Sequence, residues 1–309
     1  MSLVIRTITG AEELGLFTSL SYSLDHELAD DLSTGRRRPE WMWLALREGR
    51  PVARLAWWSQ PGAAVPDVLD FLDLDGEAPD RVEVGVRLLE ASMAEVLPAG
   101  TQAPDYIRFI PPDWREDPEA GQVVADRTAV VERAGWVFQV ERLRLEWRPG
   151  TPLAEPAGRL NFRPVSGREE LIGLMTQVLD GTLDAHSQED LTRMTPEEAA
   201  ADHYDGEFAH YTSPRDWWQI AELPGGEPVG FVVGAHNPYN PVIAYIGVLP
   251  AHRGQGYIDD ILAAGTRILA EAGMPRIRAA TDLGNVPMAR AFERAGYVNF
   301  ERQITMSRP

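Results

Sequence analysis

Two short stretches, one near the middle of the chain and one near its end, repeat the same pattern. Residues 133–137 read Arg-Ala-Gly-Trp-Val, and residues 294–298 read Arg-Ala-Gly-Tyr-Val. A helical pattern precedes each glycine, which suits the end of a helix, and an alternating strand pattern follows it. A repeat of such long period indicates one architecture used twice. Chance similarity between two helix–glycine–strand units is the alternative.

A segment rich in proline and glycine separates the two copies. Residues 148–158 contain three prolines and two glycines and lie close to the midpoint of the 309 residues. This composition is typical of a linker. The sequence therefore predicts a first domain over 1–148, a linker over 149–158 and a second domain over 159–309.

Both halves predict an α+β fold with a mixed, mostly antiparallel sheet and helices on both faces. Strands of the second half are expected at 160–165, 216–223, 228–236, 242–249, 276–281 and 297–306. Its helices are expected at 167–180, in a polar segment reaching about 204, at 256–272 and at 286–295. The first half follows less clearly, with strands at 41–47, 51–58, 66–73, 105–110 and 137–147 and helices at 82–97 and 121–134.

The charge balance limits the partners of the chain. There are 47 acidic residues against 29 basic ones, which gives a formal net charge of −18. Such a surface offers no basic footprint for nucleic acid and is repelled by anionic lipid. It favours the approach of a cationic substrate such as an amine.

Missing residue types exclude several chemistries. All the basic residues other than histidine are arginine, which excludes a lysine Schiff base and a Walker A lysine. The absence of cysteine excludes a disulfide, a thiolate nucleophile and cysteine-bound zinc. The N-terminus does not read as a signal peptide, and no apolar run of about 18 residues occurs. We expect a cytoplasmic protein with no membrane span and no metal site.

The most informative segment is a strand that leads into a helix. Residues 242–249 predict a buried strand, and a short loop over 250–255 opens directly into the next helix. Free amides and the dipole at a helix N-terminus favour a phosphate group. Gly254 and Gly256 would let the backbone approach a ligand closely, and Arg253 adds a positive charge. The motif is neither a P-loop nor a Rossmann fingerprint, and a tight turn without a ligand is the alternative.

This segment resembles the pyrophosphate loop of the GNAT N-acetyltransferase superfamily, [R/Q]-x-x-G-x-[G/A]. Residues 253–258 read Arg-Gly-Gln-Gly-Tyr-Ile, so isoleucine stands at the third small position. A second signature, an asparagine opening a helix that ends in Gly-aromatic, is similar to residues 285–297. The resemblance covers about residues 160–306, and residues 1–147 follow as a degenerate copy.

The resemblance implies an acetyl-CoA site in the second half. Pantetheine and thioester would lie along the 242–249 strand, and the pyrophosphate on the amides of the loop. The residues so assigned are Ile246, Gly247, Val248, Leu249, Arg253, Gly254, Gln255, Gly256, Tyr257, Ile258, Asn285, Met288 and Phe292. Asn285 could instead act only as the N-cap of its helix.

Catalytic groups are harder to assign. Phe292 occupies the position of the family's frequent tyrosine and cannot protonate a leaving thiolate. We expect it in the acetyl pocket, and pure core packing is the alternative. Because the 242–249 strand carries no carboxylate, the candidates are Tyr245 on that strand and His186, which could also be a solvated loop residue. Weaker candidates are His203, Tyr204 and His210.

The expected function is that of an acetyl-CoA-dependent N-acetyltransferase acting directly on a primary amine of a small molecule. A non-catalytic acyl-CoA-binding or regulatory module is the first alternative, and a structural scaffold is the second. In the first half, residues 70–80 hold five acidic residues and a proline where the phosphate loop would lie. Like-charge repulsion argues against CoA binding there. The oligomeric state is not indicated.

Overall fold

The chain divides into two compact units that exchange their last strands. The computed structural model describes residues 2–153, 155 and 157–309. One unit consists of Met1–Glu141 together with Arg302–Pro309, and the other of Arg142–Glu301. The units therefore divide at 141/142 and 301/302, which differs from the boundary expected at 149–158. Ala154 and Pro156 of that expected linker lie outside the described residues.

The first unit contains five strands and four α-helices from its own half of the chain. The strands are β1 (Leu3–Thr7), β2 (Met42–Arg47), β3 (Arg50–Trp58), β4 (Val68–Leu74) and β5 (Asp105–Ile110). The helices are α1 (Leu14–Phe17), α2 (Leu28–Thr34), α3 (Arg81–Val96) and α4 (Pro118–Arg133). Successive strands are neighbours, and all pairs are antiparallel except β4 with β5.

The second unit repeats this plan. Its strands are β7 (Asn161–Pro164), β8 (Trp218–Glu222), β9 (Pro228–His236), β10 (Pro241–Val248) and β11 (Ile277–Asp282). Two further strands, β6 (Val137–Trp147) and β12 (Val298–Ser307), each belong in part to both units. Its helices are α5 (Arg168–Val178), α6 (Ala185–Asp190), α7 (Pro196–Gly206), α8 (Tyr257–Glu271) and α9 (Val286–Arg294). Strands β7 to β10 form antiparallel pairs, and β10 with β11 is the parallel pair.

The exchanged strands explain why the units do not divide at the linker. Residues 142–147 of β6 pair with β11, from Asp282↔Arg142 to Ile277↔Trp147. Residues 302–306 of β12 pair with β5. Each half of the chain thus supplies a strand to the sheet of the other unit. Hydrophobic alternation predicts both strands but is silent about their partners.

The expected α+β fold class is confirmed, and the expected strands and helices are all present with shifts of a few residues at their ends. The sequence analysis missed β1 and the short helices α1 and α2. These elements are four to seven residues long, too short for a periodic pattern to stand out. Among the described residues, no helix is long and apolar enough to cross a membrane.

The sheet of the second unit buries a different core on each face. Helix α8 packs Ile261, Leu262 and Leu269 onto one face, together with Phe292 of α9. The contact is close, because a Cβ at Gly265 would lie 2.6 Å from a methyl group of Val232. The opposite face carries α5 and α7, whose buried residues pack with Trp218, Ile220 and Phe231 of the sheet.

Candidate active site

Strands β10 and β11 separate soon after they begin. Their parallel register contains one pair, Val242↔Arg278, within the described residues. A β-bulge between Ile243 and Tyr245 interrupts β10 at the same point, while its other edge stays paired with β9. A bulge bends a strand and ends its local pairing. The later part of β10 therefore presents an open edge that an extended ligand can hydrogen-bond.

The open strand leads into a loop of unused amides. Gly254 and Gly256 both adopt φ +76°, a left-handed conformation that glycine takes without strain. Five consecutive amides here donate to no acceptor in the described part of the chain. They belong to Gly254, Gln255, Gly256, Tyr257 and Ile258. A Cβ at Gly254 would meet no atom within 4 Å, so the surface of the loop is open. Consecutive free amides at a helix N-terminus form an anion site.

The side chain of Arg253 is hydrogen-bonded to main-chain carbonyl oxygens outside this loop. Its guanidinium donates to the carbonyl oxygens of Asp180 at 2.6 Å and Val178 at 2.8 Å, at the end of α5. It also donates to the carbonyl oxygen of Val248 at 3.2 Å. We expected Arg253 to add charge at the phosphate. The structure instead uses it to tether the loop to α5.

Arg159 is a further arginine beside the loop, and the sequence analysis missed it. It donates to the carbonyl oxygens of Gln255 at 3.0 Å and Gly256 at 3.1 Å, and it pairs with Asp260. Asp259, the other acid in the first turn of α8, pairs with Arg294. Acids at a helix N-terminus would repel a phosphate, but here each has an arginine partner.

Ile258 and Met288 turn towards the hydrophobic core under α8. The branched side chain at the third small position of the loop is therefore accommodated by the core. Asn285 caps α9, since its Oδ1 accepts from the amide of Met288 at 3.3 Å. The capping interpretation of Asn285 is confirmed, and its contact with pantetheine stays a prediction.

Phe292 lies inside the hydrophobic core. It is 1 % exposed and meets Tyr297 edge-on, with ring centroids 5.0 Å apart. This differs from the expectation that Phe292 lines an acetyl pocket. Its helix faces the sheet, and an apolar ring at this position gains more from burial than from solvent contact.

Tyr245 is a half-buried phenol beside the bulge. Its ring stacks on Phe231 at 5.5 Å and meets His203 edge-on at 5.2 Å. Burial raises the pKa of Tyr245 well above its usual range, and the nearby Asp184 raises it further. Tyr245 therefore keeps its proton near neutral pH. It can donate a proton, but it cannot act as a base.

A small polar cavity adjoins Tyr245. It has room for about one water molecule. Its lining comes from α5, α6, α7 and β10 and comprises Met175, Leu179, Ser187, Asp190, Ala199, Ala200, His203 and Tyr245. Burial raises the pKa of Asp190, although Arg193 opposes the shift.

His186, the other predicted catalytic residue, lies near a cluster of charges on α6 and β11. Asp184 and Asp282 both act on it electrostatically. Asp282 accepts from the amide of Ala185 at 2.7 Å and lies 3.0 Å from Arg142. The imidazole of His186 has no hydrogen-bond partner among the described residues. The structure thus brings Tyr245 to the bulge and leaves His186 without a group to orient it.

Comparison with known proteins agrees with this geometry. Residues 183–297 match the family model described as the acetyltransferase (GNAT) family. Residues 183–297 form a GNAT domain. No curated protein sequence matches the chain.

Solved structures extend the similarity to nearly the whole chain. A GCN5-related N-acetyltransferase from Sphaerobacter thermophilus has a TM-score of 0.61 at 15% identity, covering 99% of this chain and 96% of that one. A tandem GNAT protein from the clavulanic acid biosynthesis pathway has 0.52 at 14%, covering 99% and 98%. A GNAT-family acetyltransferase from Colwellia psychrerythraea has 0.51 at 14%, covering 99% and 100%. At such identities the likeness shows the fold, which is that of a tandem GNAT protein.

The first unit has the same splayed strands but fills them with its own side chains. The parallel register of β4 and β5 contains two pairs, Val68↔Asp105 and Leu69↔Tyr106. Beyond them lies Asp73, which is 1 % exposed. Its carboxylate lies within 2.8 Å of three guanidiniums, those of Arg54, Arg108 and Arg127. This buried ion cluster stands where the GNAT domain of the second unit has an open strand edge.

Proposed function

We propose that the second unit transfers an acetyl group from acetyl-CoA directly to a primary amine of a small molecule. The observation that carries this proposal is the continuity of the open edge of β10 with the five unused amides of the loop at 254–258. A strand edge suits the amide-bearing pantetheine arm, and the loop suits a pyrophosphate. The two sites follow each other along the chain, as the two parts do along CoA.

The residues that would hold acetyl-CoA follow from these positions. Main-chain groups at 246–248 would pair with pantetheine, and the loop amides would bind the pyrophosphate beside Arg159. Bound acetyl-CoA supplies an activated acetyl carbon, to which the amine nitrogen bonds as the carbon–sulfur bond breaks. Amide donors on the strand would polarise the acetyl oxygen. Holding amine and thioester together would supply much of the rate.

The side chains of the unit limit the route. No cysteine is present to form an acyl-enzyme, so transfer would be direct. Tyr245 holds a proton beside the bulge and would be the group that passes one to the departing thiolate, in place of the missing tyrosine at Phe292, although its raised pKa makes it a weak acid. The net charge of −18 favours an acceptor that arrives as a cation.

Calorimetric titration with acetyl-CoA tests the proposal on the wild type and on Gly256→Trp. Gly62→Trp is the matched control, because both glycines have positive φ and a Cβ at either would meet no atom closer than 3.9 Å. We expect micromolar binding that is lost in Gly256→Trp and kept in Gly62→Trp. An assay with a panel of primary amines should then show turnover.

Two results would contradict the proposal. Binding without turnover on any amine would favour the non-catalytic acyl-CoA-binding module. No binding by the wild type would leave the scaffold interpretation.

A further inference from the structure

We propose that His203, oriented by Glu207, is the base that removes a proton from the incoming amine, and that the cavity beside Tyr245 receives the amino group. This inference rests on the proposed acetyltransferase function. His203 and Glu207 lie one turn apart at the end of α7, with Nε2 of the imidazole 3.1 Å from a carboxylate oxygen of Glu207.

Glu207 fixes the tautomer of the imidazole. Burial disfavours the charge on Glu207, but hydrogen bonds from His203 and Tyr211 hold its pKa below the usual range. An ionised carboxylate only accepts hydrogen bonds, so neutral His203 must carry its proton on Nε2. The lone pair that can take a proton is then on Nδ1, which has no partner among the described residues. A base held by an orienting carboxylate is the arrangement expected of a working base.

The position of His203 connects this base to the open strand. Its ring meets Tyr245 at 5.2 Å, and Tyr245 follows the bulge where β10 leaves β11. His203 also lines the cavity. The base therefore lies next to the point where the open strand edge begins. His186 lacks an orienting partner, which makes it the weaker of the two histidines.

The cavity sets the class of acceptor. It admits a group about as large as a water molecule, so the acceptor must offer an unhindered primary amine. Such an amine arrives mainly as an ammonium ion at neutral pH. The nitrogen–hydrogen bond breaks, the proton moves to Nδ1 of His203, and the electron pair stays on the nitrogen that will attack. The Glu207 carboxylate stabilises the resulting imidazolium.

The charged and titratable groups near His203 come from several elements. Glu207 accepts from its ring, Tyr245 meets it edge-on, and Asp190 lines the same cavity. Tyr211 and Arg142 act on Glu207, and Asp202 acts on Asp190.

The test compares His203→Gln, Glu207→Gln and His186→Gln, with propylamine and the α-branched isopropylamine as probes. We expect His203→Gln to lower kcat/KM for propylamine by about 10²–10⁴-fold, through kcat rather than KM. Glu207→Gln and His186→Gln should each cause a smaller loss than His203→Gln, and wild type should prefer propylamine. Acetyl-CoA affinity by calorimetry should stay unchanged in all three, which shows that they fold.

A nitrogen-15 NMR spectrum of the histidine rings gives a readout that needs no turnover. The neutral form of His203 should be protonated at Nε2, and Glu207→Gln should remove that preference. A wild-type proton on Nδ1, or a His203→Gln variant with the wild-type kcat, would overturn the inference while leaving the acetyltransferase function standing. Failure of the wild type to acetylate any amine would overturn both.

Discussion

Arg127 donates from Nε to the main-chain carbonyl oxygen of Leu72 at 2.8 Å, on the part of β4 that has no register pair with β5. The same guanidinium reaches Asp73 at 2.8 Å. An arginine of α4 thus satisfies a strand edge that a ligand would otherwise use. The first unit has the same separated strands as the second and fills the gap between them with charged side chains.

Replacing Arg127 by methionine should destabilise the first unit by about 2–3 kcal/mol. The change leaves the carbonyl of Leu72 without its donor and removes one of three guanidiniums from buried Asp73. Urea unfolding measures the loss. Arg133→Met, on the exposed face of the same helix, is the control and should cost less than about 1 kcal/mol. Equal effects of the two changes would contradict the structural role given to Arg127.

Replacing two helical glycines by alanine should change the stability of the protein in opposite directions. A Cβ at Gly265 would lie 2.6 Å from Val232, so Gly265→Ala should destabilise by about 1–3 kcal/mol. Gly173 in α5 is exposed with nothing within 4 Å, and Gly173→Ala should stabilise by about 0.5–1 kcal/mol. Thermal denaturation of both variants and of the wild type measures these changes in stability. A neutral Gly265→Ala would mean that α8 packs less closely on β9.

Arg159→Ala should weaken acetyl-CoA binding about tenfold. The change removes a positive charge from the loop and leaves Asp260 unpaired in the first turn of α8, where an acid repels phosphate. The double variant Arg159→Ala/Asp260→Asn should recover part of the affinity, because it removes the exposed acid. Calorimetry at low salt is the measurement. Wild-type affinity in the single variant would exclude Arg159 from the phosphate site.

Glu27 should make the first unit less stable as the pH rises. Burial raises the pKa of Glu27 from the ordinary 4.5 to about 7. Between these values the folded state binds more protons than the unfolded state, so the free energy of unfolding falls with increasing pH. Solvent reaches part of the carboxyl, which reduces the effect to about 1–2 kcal/mol.

Glu27→Gln isolates this contribution. The variant should gain stability relative to wild type at pH 8 and lose that advantage at pH 4.5, because its side chain does not ionise. Exposed Glu77→Gln should show no such dependence. The prediction would be refuted by a stability difference for Glu27→Gln that stays constant with pH in urea unfolding.

The parts of the site that depend only on neighbouring residues in the sequence could be predicted. The strand at 242–249, the glycines at 254 and 256 and the cap at Asn285 follow from neighbouring residues, and the structure has all of them. Arg159 could not be predicted, because it meets the loop from about 96 residues away. Only tertiary folding brings such a pair together.

His203 was within reach of the sequence analysis. It stands four residues before Glu207, the spacing at which two side chains meet on one helix face. What the sequence could not show is that this face turns towards Tyr245. The strand partners were hidden for a similar reason, since alternation defines the faces of a strand and leaves its edges unassigned.

The exchanged strands determine the order in which the two units can complete their sheets during synthesis. The N-terminal part of the first unit has been synthesised by residue 141. Its sheet also needs residues 302–306, which follow about 160 residues later. At a synthesis rate of about 5–20 residues per second, the nascent first unit waits roughly 8–30 seconds with β5 uncovered. A stop codon between the halves would therefore release an incomplete sheet rather than an independent domain. The two copies can differ in chemistry, as the charged side chains between the strands of the first unit show. Neither copy can be lost, however, without removing a strand from the sheet of the other.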